Sequence, residues 1–536
     1  MNPLRTFSIA ASAALIAAPL RAQSTSFPTN DQTLQRIWRL GMDSSQIQPL
    51  GQALLDSVGP RLTGSPGLLN ASNWIINKYK SWGIDAKREQ YGTWRGWRRG
   101  VSHIDLLKPR VRSLEATMLA WSPGTGGKDV TAGTVIIPQV ADSAAFVAWL
   151  PNVKGKFVLV SMEQPTCRPD DNWKEFATPE SFAKMKSERD SMTKAWAERV
   201  RATGYSLSLG TGTLGRRLEQ AGAVGVIANR WSNGWGVDKV FDNRNERVPA
   251  IDMSCEDYGL LYRLTERNQG PVLRVNAESE ALGEQPVANT IAEIRGSEKP
   301  NEYVMLSAHF DSWDAGSGAT DNGTGTVTML EAMRILKAVL PNPKRTIIVG
   351  HWSGEEQGLN GSRGFAAAHP EVVRGMQALF NQDNGTGRVS NISAQGLTGA
   401  GAFLARWGAQ LPTEISRHIS WTFPGFPSGG GSDNASFICG GAPAFGLGSN
   451  SWDYGTYTWH TNRDTYDKIV WDDLRNNATL AAMLAYLASE DPETVPRDQR
   501  AFVPGATESF GGQRFPAPSG WPVCAAPLTN SSQYKR

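Results

Sequence analysis

The sequence predicts an α/β fold, in which a central mixed β-sheet is flanked by helices, with a β-rich unit inserted into it. Two apolar runs, Tyr303 to Ala308 and Arg345 to Val349, have the composition of buried strands. Between them, Val327 to Val339 repeats apolar residues at helical spacing. From about residue 123 to 286 the pattern changes to short strands with few helices, which indicates the insertion.

Length and charge limit the classes of protein that need consideration. The chain has 536 residues, of which 40% are hydrophobic, and this predicts two to four domains with a sizeable core. The 54 basic and 51 acidic residues leave a net charge of +3 and are dispersed along the chain. Nothing in this balance favours a nucleic acid or an anionic membrane as a partner.

The amino terminus, residues 1–22, has the pattern of a secretory signal peptide. Arg5 precedes an apolar stretch from Phe7 to Leu20, and a small residue, Ala22, follows it. The stretch is too short to span a bilayer, and the chain has no other run of comparable length. We therefore expect an exported protein, periplasmic or extracellular, with no stable membrane anchor.

The main domain is predicted to be discontinuous, comprising residues 23–122 and 287–495. Its first part begins with two helices capped by Asp31 and Ser45, then a turn-rich loop from Gly59 to Gly67, a third helix and a strand near residues 85–91. Residues 123–286 form the insert, which includes a charged helical stretch between residues 168 and 201. We expect the insert to cover or narrow the cleft of the main domain.

The main domain resumes at Ala288 with a strand, and it ends with a helix from Trp471 to Leu487. Residues 496–536 are rich in Pro, Gly and Ser and are expected to form an irregular tail over the surface.

Acids and imidazoles gather where the predicted strands end. His309 and Asp311 follow the first buried strand, Glu355 and Glu356 follow the second, and Asp383 follows the apolar run Met376 to Phe380. Asp321 precedes the helix, and His460 lies in a later loop. Open α/β sheets place their sites at the carboxyl ends of the strands.

These residue types suit a zinc site, because zinc binds His nitrogen and carboxylate oxygen. His309 and Asp321 can reach one ion and Glu356 a second. Two adjacent glutamates point in different directions, so that Glu356 can bind metal while Glu355 stays free as a general base. Any one of these residues alone is more often a surface acid or a core histidine, but the set in this order favours a site.

The same residues carry a resemblance. The motifs His309-x-Asp311, Asp321-Asn322-Gly323, Glu355-Glu356-x-Gly358-Leu359, Asp383 and His460-Thr461-x-x-Asp464-Thr465 resemble the co-catalytic zinc exopeptidase family of aminopeptidase Y and bacterial leucyl aminopeptidase. The sequence is more similar to the plasma glutamate carboxypeptidase-like subgroup, which has an inserted protease-associated domain. The resemblance extends from about residue 30 to 490.

The resemblance implies a cofactor of two Zn²⁺ ions and a role for each residue. Asp321 would bridge the ions, His309 and Asp383 would complete one site, and Glu356 and His460 would complete the other. Glu355 would be the base that acts on a metal-bridging hydroxide. The strand spacing itself makes Asp311 the second candidate catalytic residue, because it lies two residues after His309, points the same way and can hydrogen-bond the metal-binding imidazole. The resemblance also implies a cis peptide bond between Asp321 and Asn322.

Three other functions were weighed against this one. A non-catalytic, receptor-like binding protein of the same fold would have lost ligands, yet all of them are present. A glutaminyl cyclase works with one zinc, and a two-metal phosphatase has His-rich ligand sets. A carboxypeptidase of the glutamate carboxypeptidase type remains the alternative for specificity.

The specificity prediction depends on residues 421–436, between Asp383 and His460. This segment has no Lys or Arg but offers aromatic residues, which suit an apolar side chain better than a carboxylate. We therefore expect an aminopeptidase or dipeptidase that acts on peptides with neutral or apolar amino-terminal residues, and we leave homodimerisation open. The candidate substrate-binding residues are Trp421, Phe423, Phe426, Tyr457 and Arg463, the last as a cation for a substrate carboxylate.

We expect structural roles for the cysteines and for most of the remaining histidines. Four cysteines allow three pairings, and keeping each pair within one domain favours Cys167 with Cys255 and Cys439 with Cys524. His351 is expected in the core, and His369 at a helix end. Asp464 is either part of the site or a loop cap.

Overall fold

The computed structural model describes residues 26–207, 211–502, 507–510, 513–516 and 518–534. The predicted signal segment, residues 1–22, lies outside the described residues. No helix in the described part of the chain is both long and apolar enough to cross a bilayer.

The described strands form one large mixed sheet and one separate hairpin. Fourteen strands belong to the sheet, and the last two form the hairpin in the tail. In chain order they are β1 (Asp85–Lys108), β2 (Arg112–Ser113), β3 (Ala116–Met118), β4 (Val130–Ile136), β5 (Phe157–Leu159), β6 (Gly225–Ala228), β7 (Ala250–Met253), β8 (Val272–Ile294), β9 (Lys299–His309), β10 (Arg345–Trp352), β11 (Met376–Asn381), β12 (Val389–Ser393), β13 (Ser420–Thr422), β14 (Ala444–Ser449), β15 (Thr507–Phe510) and β16 (Gln513–Pro516).

Helices cover this sheet on its two faces. In chain order they are α1 (Gln32–Trp38), α2 (Ile47–Gln52), α3 (Pro66–Ser81), α4 (Ser143–Trp149), α5 (Asp170–Phe176), α6 (Pro179–Ala202), α7 (Gly212–Gln220), α8 (Cys255–Glu266), α9 (Thr324–Val339), α10 (Asn360–Ala368), α11 (Pro370–Gly375), α12 (Ala400–Gly408), α13 (Thr413–Ser416), α14 (Ala435–Ile438) and α15 (Trp471–Glu490).

The centre of the sheet is parallel. Strand β9 lies between β10 and β11 and is parallel to both, and β14 is parallel to β11. Strand β8 pairs with β10 in the antiparallel direction, so the sheet is mixed, as predicted. Because β9, β10 and β11 run the same way, their carboxyl ends meet at one edge of the sheet.

Alternate residues of β9 enter two different cores. Val304 and Leu306 pack in the core that contains α9 and α15, whereas Met305 packs on the opposite face with Phe365 and Phe437. This alternation follows from the two-residue period of a strand. A strand buried on both faces reads as a continuous apolar run, which is why the run Val304 to Leu306 was recognisable in the sequence.

Two long strands join the insert to the main domain. Strands β1 and β8 pair in the antiparallel direction from Asp85 opposite Glu293 to Lys108 opposite Val272. The first part of β8 also pairs with β4 of the insert, and its last part pairs with β10. The sequence predicted only short strands here, among them one near residues 85–91 and another that begins at Ala288, because register shifts in the ribbon interrupt the two-residue alternation.

The insert has more helix than the predicted pattern of short strands with few helices. Strands β4 to β7 are accompanied by α4 to α8, of which α6 is 24 residues long. Several of these helices are short, and α6 has one buried residue, Met185. Such helices give weak apolar periodicity, although the charged face of α6 was predicted.

Both disulfides form as predicted. Cys167 pairs with Cys255 within the insert, and Cys439 pairs with Cys524 of the tail. The tail also contains the β15–β16 hairpin, which the prediction of an irregular segment did not include.

Candidate metal centre

The predicted ligands converge at the carboxyl edge of the parallel strands. Each one follows a strand or lies in a turn that faces this edge, and all are at least half-buried. They are His309 at the end of β9, Asp321 in the turn Ala319–Gly323 before α9, Glu356 after β10, Asp383 after β11, and His460 after the turn Tyr454–Thr458.

The first group of donors consists of His309, Asp321 and Asp383. The Nε2 atom of His309 lies 3.3 Å from Oδ1 of Asp321 and 3.2 Å from Oδ1 of Asp383. One donor atom from each residue lies within 4.8 Å of the other two. This spacing fits three donors around one metal ion.

The second group consists of Asp321, Glu356 and His460. The Nε2 atom of His460 lies 3.2 Å from Oδ2 of Asp321 and 3.0 Å from Oε2 of Glu356. Asp321 therefore belongs to both groups, with one oxygen facing each histidine. A carboxylate in this arrangement can be shared by two ions.

The shifted pKa values of the predicted ligands indicate a site that favours bound cations. Burial lowers the pKa of His460, but the Glu356 and Asp321 carboxylates outweigh it and raise the pKa to about 9. Burial disfavours the charged form of Asp321, yet hydrogen bonds with both histidines hold its pKa below the usual range. Buried carboxylates that lie beside imidazoles match the N and O donor set of zinc.

Individual atoms also fit a metal. Oε1 of Glu356 is buried and has no hydrogen-bond partner among the described residues, so its lone pairs are available to an ion. The Nδ1 atom of His309 lies 3.0 Å from the backbone carbonyl oxygen of Asp311. Because a carbonyl only accepts, Nδ1 must carry the hydrogen, and Nε2 is left to bind metal.

Glu355 has the environment of a general base. It lies near His309 and Glu356, and burial raises its pKa well above the usual value. The His309 imidazole opposes this shift, whereas the Asp383, Glu356 and Asp433 carboxylates add to it. A raised pKa brings a carboxylate toward the range in which it exchanges protons near neutral pH.

Asp311 differs from the prediction. Its carboxylate is 3.8 Å from Nδ1 of His309, and the backbone carbonyl makes the hydrogen bond instead. The carboxylate accepts from the Thr63 hydroxyl at 3.0 Å and lies 3.2 and 3.4 Å from the backbone N–H groups of Glu355 and Glu356. In this geometry Asp311 positions the backbone of the glutamate pair, and its carboxylate does not make the predicted hydrogen bond to the His309 imidazole.

Asp464 caps a turn, but this turn belongs to the metal centre. Its carboxylate accepts from the backbone N–H of Thr320 at 2.7 Å and from that of Asp321 at 3.0 Å. Asp464 is 3% exposed, so the two bonds are shielded from water. They fix the backbone that carries the shared carboxylate.

Arg61 was not predicted as a site residue. It is fully buried and donates to the backbone carbonyls of Gly59, Phe310, Ser317 and Gly318 at 2.7–3.0 Å. Burial lowers its pKa to about 10, and carboxylates that include Asp464 oppose that shift. It joins the loop before α3 to the loop between His309 and Asp321. The turn-rich pattern around it gave no sign of these distant partners.

Two further residues near the site were missed. The indole N–H of Trp313 donates to Oε2 of Glu356 at 2.8 Å. Asp433 is fully buried, and burial raises its pKa to about 7. Both follow or lie within glycine-rich loops, where the sequence has no periodicity to place them.

The predicted substrate residue Trp421 lies on an edge strand, and Phe423 and Phe426 follow it in the chain. Strand β13, which contains Trp421, is at the edge of the sheet and is separated from β11 by β12 and β14. At ~4.8 Å per strand this is about 14 Å. Trp421 and Phe423 pack on each other and beside α12, and Arg500 lies over the Phe426 ring.

Arg463 and Tyr457 lie nearer the site but face the insert. The Arg463 guanidinium donates to the Gly236 carbonyl at 3.0 Å and pairs with Glu115 at 3.2 Å. The Tyr457 ring lies against Gly234. Arg463 has these two partners in the structure, and its role as a cation for a substrate carboxylate stays a prediction.

One backbone feature and two further histidines, His351 and His369, are as predicted. The Asp321–Asn322 peptide bond is cis, as the resemblance implied. His351 is fully buried and shares a 2.7 Å hydrogen bond with the Tyr79 hydroxyl. His369 lies between α10 and α11, where it caps both helices.

Comparison with known proteins identifies the domain that holds this site. The family described as Peptidase family M28 matches residues 289–485, which include all five predicted ligands and Glu355. Residues 289–485 form a Peptidase family M28 domain. The resemblance to the co-catalytic zinc exopeptidases is thereby confirmed, and the chain is a metallopeptidase.

Relatives extend the similarity beyond this domain. Carboxypeptidase Q of Bos taurus is 24% identical over 445 residues, which are 83% of this chain and 85% of that protein. The crystal structure of a Peptidase M28 precursor from Shewanella amazonensis SB2B superposes with a TM-score of 0.63 at 24% identity and covers 88% of this chain and 99% of its own. A zinc aminopeptidase from Bacillus subtilis gives a TM-score of 0.54 at 19% identity and covers 84% and 96%. The two structures confirm the predicted fold class.

Proposed function

We propose that this M28 metallopeptidase is an exported di-zinc exopeptidase, specifically an aminopeptidase or dipeptidase for neutral or apolar amino-terminal residues. One observation carries the two-metal part of the proposal. The two oxygens of Asp321 face Nε2 of His309 and Nε2 of His460 at 3.3 and 3.2 Å, so that one carboxylate belongs to two donor groups.

The distances between the proposed ligands divide them into two sites. His309 and Asp383 share Asp321 on one side, and Glu356 and His460 share it on the other. When bound, zinc ions supply a Lewis acid for the scissile carbonyl and a water of lowered pKa. Trp313 donates to Glu356, and in this proposal Glu356 is a ligand while its neighbour Glu355 acts as the base.

Glu355 moves the proton. Its raised pKa suits a group that takes a proton from the attacking water and passes it to the leaving amine nitrogen. Asp311 holds the backbone of Glu355 through the N–H group at 3.2 Å, which keeps the carboxylate close to the ligands. General-base catalysis of this kind contributes roughly 100- to 10,000-fold to the rate.

The charge of the site favours recognition of a free amino terminus. Glu355, Glu356, Asp383 and Asp433 surround the ligand histidines, and an ammonium group gains from such a cluster. Arg463, the cation considered for a substrate carboxylate, is already paired with Glu115. The acids therefore support an aminopeptidase or a dipeptidase.

A carboxypeptidase is the second candidate. The relative from Bos taurus bears that name, and the insert supplies a cation, Lys239, whose charge interacts with Asp321. A bound carboxylate needs such a partner.

Kinetics on blocked dipeptides separate the two candidates. We expect Leu-initiated dipeptides to be hydrolysed and their N-acetylated forms to be resistant. Amidation of the carboxyl terminus, tested in parallel, reports on any need for a free carboxylate. If acetylated peptides, particularly those that end in Glu, are cleaved as fast as free ones, the aminopeptidase assignment is wrong.

We also propose that residues 1–22 are a cleaved export signal and that residues 123–286 are a protease-associated domain covering the site. The two disulfides support an oxidising compartment, either periplasmic or extracellular. Mass spectrometry of the mature amino terminus tests the signal, and recovery of protein that still begins at Met1 would contradict it.

A further inference from the structure

A short segment of the insert, residues 236–241, lies along the loop that carries His460. The backbone N–H of Val240 donates to the carbonyl of His460 at 2.8 Å, and Lys239 forms an antiparallel bridge with Thr461. The Lys239 ammonium donates to the carbonyl of Trp459 at 2.6 Å. The insert therefore donates to the carbonyl of His460 itself and to the carbonyl of the residue before it, Trp459.

Asn462 adds a second set of bonds between the same two segments. Its backbone N–H donates to the Asp238 carbonyl at 3.1 Å, and its side-chain Oδ1 accepts from the Asp238 N–H at 3.0 Å. Its Nδ2 also donates to the Asp238 carboxylate and to the Gly236 carbonyl at 3.3 and 3.4 Å. The contact thus extends across the whole segment.

The imidazole of His460 is oriented by packing. Metal-binding histidines almost always donate their second ring nitrogen to an oxygen, which fixes the ring. Nδ1 of His460 is buried and has no hydrogen-bond partner among the described residues, in contrast to Nδ1 of His309. His460 also has φ +58°, a left-handed conformation that is uncommon for a non-glycine residue.

Three rings contact the imidazole in place of that hydrogen bond, one of them Trp313 at 5.7 Å. The Trp459 ring stacks on it at 4.0 Å, and the Phe241 ring meets it edge-on at 5.0 Å. Phe241 also contacts Trp313 at 5.7 Å, and Trp313 donates to Glu356. Phe241 therefore supports both ligands that join Asp321 in the second donor group.

We propose that Phe241, together with the backbone of residues 236–241, is a positioning element for His460, so that the insert is part of the metal centre and not only a cover over it. The inference rests on the proposed role of His460 as a zinc ligand. It assigns the insert a direct effect on one of the two zinc sites, the one shared by Asp321, Glu356 and His460.

The test compares uncharged substitutions, because a change at Lys239 would alter the field around the metals as well as the contacts. Phe241→Leu removes the ring edge, and Asn462→Ala removes the side-chain bonds to the insert. Phe146→Leu is the matched control, since Phe146 is a fully buried ring of the insert that packs on Trp149 and Tyr205. Phe146 belongs to a separate core cluster of the insert, with Leu150, Val158 and Leu214.

Zinc affinity is measured by competition with a chelating dye, and the melting temperature of each metal-free protein is measured beside it. Changes to residues that support a metal ligand weaken affinity by roughly 10- to 100-fold. We expect this loss for one of two zinc ions in Phe241→Leu and in Asn462→Ala, and wild-type affinity for both ions in Phe146→Leu. The metal-free melting temperatures of Phe241→Leu and Phe146→Leu should fall to a similar extent.

Two outcomes overturn the inference. One is wild-type affinity for both ions in Phe241→Leu and Asn462→Ala, and the other is an equal loss of affinity in the control. If the wild-type protein itself binds fewer than two zinc ions, the proposed function fails instead, and the two failures are thus distinguishable.

Discussion

Replacement of Asp464 by Asn tests how the shared carboxylate is held. The Asp464 carboxylate accepts from the N–H groups of Thr320 and Asp321 with separate oxygens, at 2.7 and 3.0 Å. Asn keeps the shape of the side chain but has one oxygen, so its NH₂ group must face one of these backbone donors. One hydrogen bond is lost, and one buried N–H is left without an acceptor.

The size of the effect follows from that loss. A hydrogen bond to a charged group contributes about 1.5–3 kcal/mol, and every 1.4 kcal/mol is about tenfold in an equilibrium constant. Because the affected peptide carries Asp321, we expect zinc affinity to fall by roughly 10- to 100-fold. The free energy of unfolding of the metal-free protein should fall by about 1.5–3 kcal/mol.

Zinc affinity by chelator competition and denaturant unfolding of the metal-free protein measure the two effects. Asp467→Asn is the matched control, because Asp467 lies three positions later with its side chain 72% exposed, and we expect both quantities to stay at wild-type values. An Asp464→Asn variant that equals the wild type in zinc affinity and in unfolding would show that Asp464 does not position Asp321.

Three further predictions concern the ligands. Asp321→Ala should empty both sites, because its two oxygens face both histidines, and metal analysis that finds one ion retained would contradict the sharing. Trp313→Phe keeps the ring but loses the N–H bond to Glu356; we expect zinc affinity to fall by roughly 10- to 100-fold, and unchanged affinity in chelator competition would refute that role. Treatment with a chelator should abolish hydrolysis of Leu-initiated dipeptides and added zinc should restore it, whereas activity that survives complete metal removal would rule out a metal-dependent reaction.

The ligand positions were predictable because local sequence determines them. His309, Glu356 and Asp383 each follow an apolar run that forms a buried parallel strand, and parallel strands bring their carboxyl ends together. Asp321 and His460 lie in loops, and for them the motif resemblance supplied what periodicity did not.

The supporting residues were not predictable in the same way. Arg61 and Asp464 act on backbone N–H and C=O groups, and every residue except proline carries both. Arg61 meets the Phe310 carbonyl across 249 positions of sequence. A buried arginine or aspartate needs hydrogen-bond partners, but the residue type does not predict which turn provides those partners.

The substrate prediction for Trp421 used order along the chain, which differs from order across the sheet. The segment lies between Asp383 and His460 in sequence, yet β13 is the edge strand. In the same way, the insert was expected only to cover the cleft, and its contacts with His460 join residues more than 200 positions apart.

The most direct test of the central claim is the zinc content of Glu355→Gln, measured together with its turnover of Leu-initiated dipeptides. If Asp321 is shared by two ions and Glu355 is the base and not a ligand, the variant should retain two zinc ions per chain. Its turnover should fall by roughly 100- to 10,000-fold. A variant that has lost zinc, or one that remains fully active with zinc bound, would contradict the account and move the base role to another residue, of which Glu356 is the first to test.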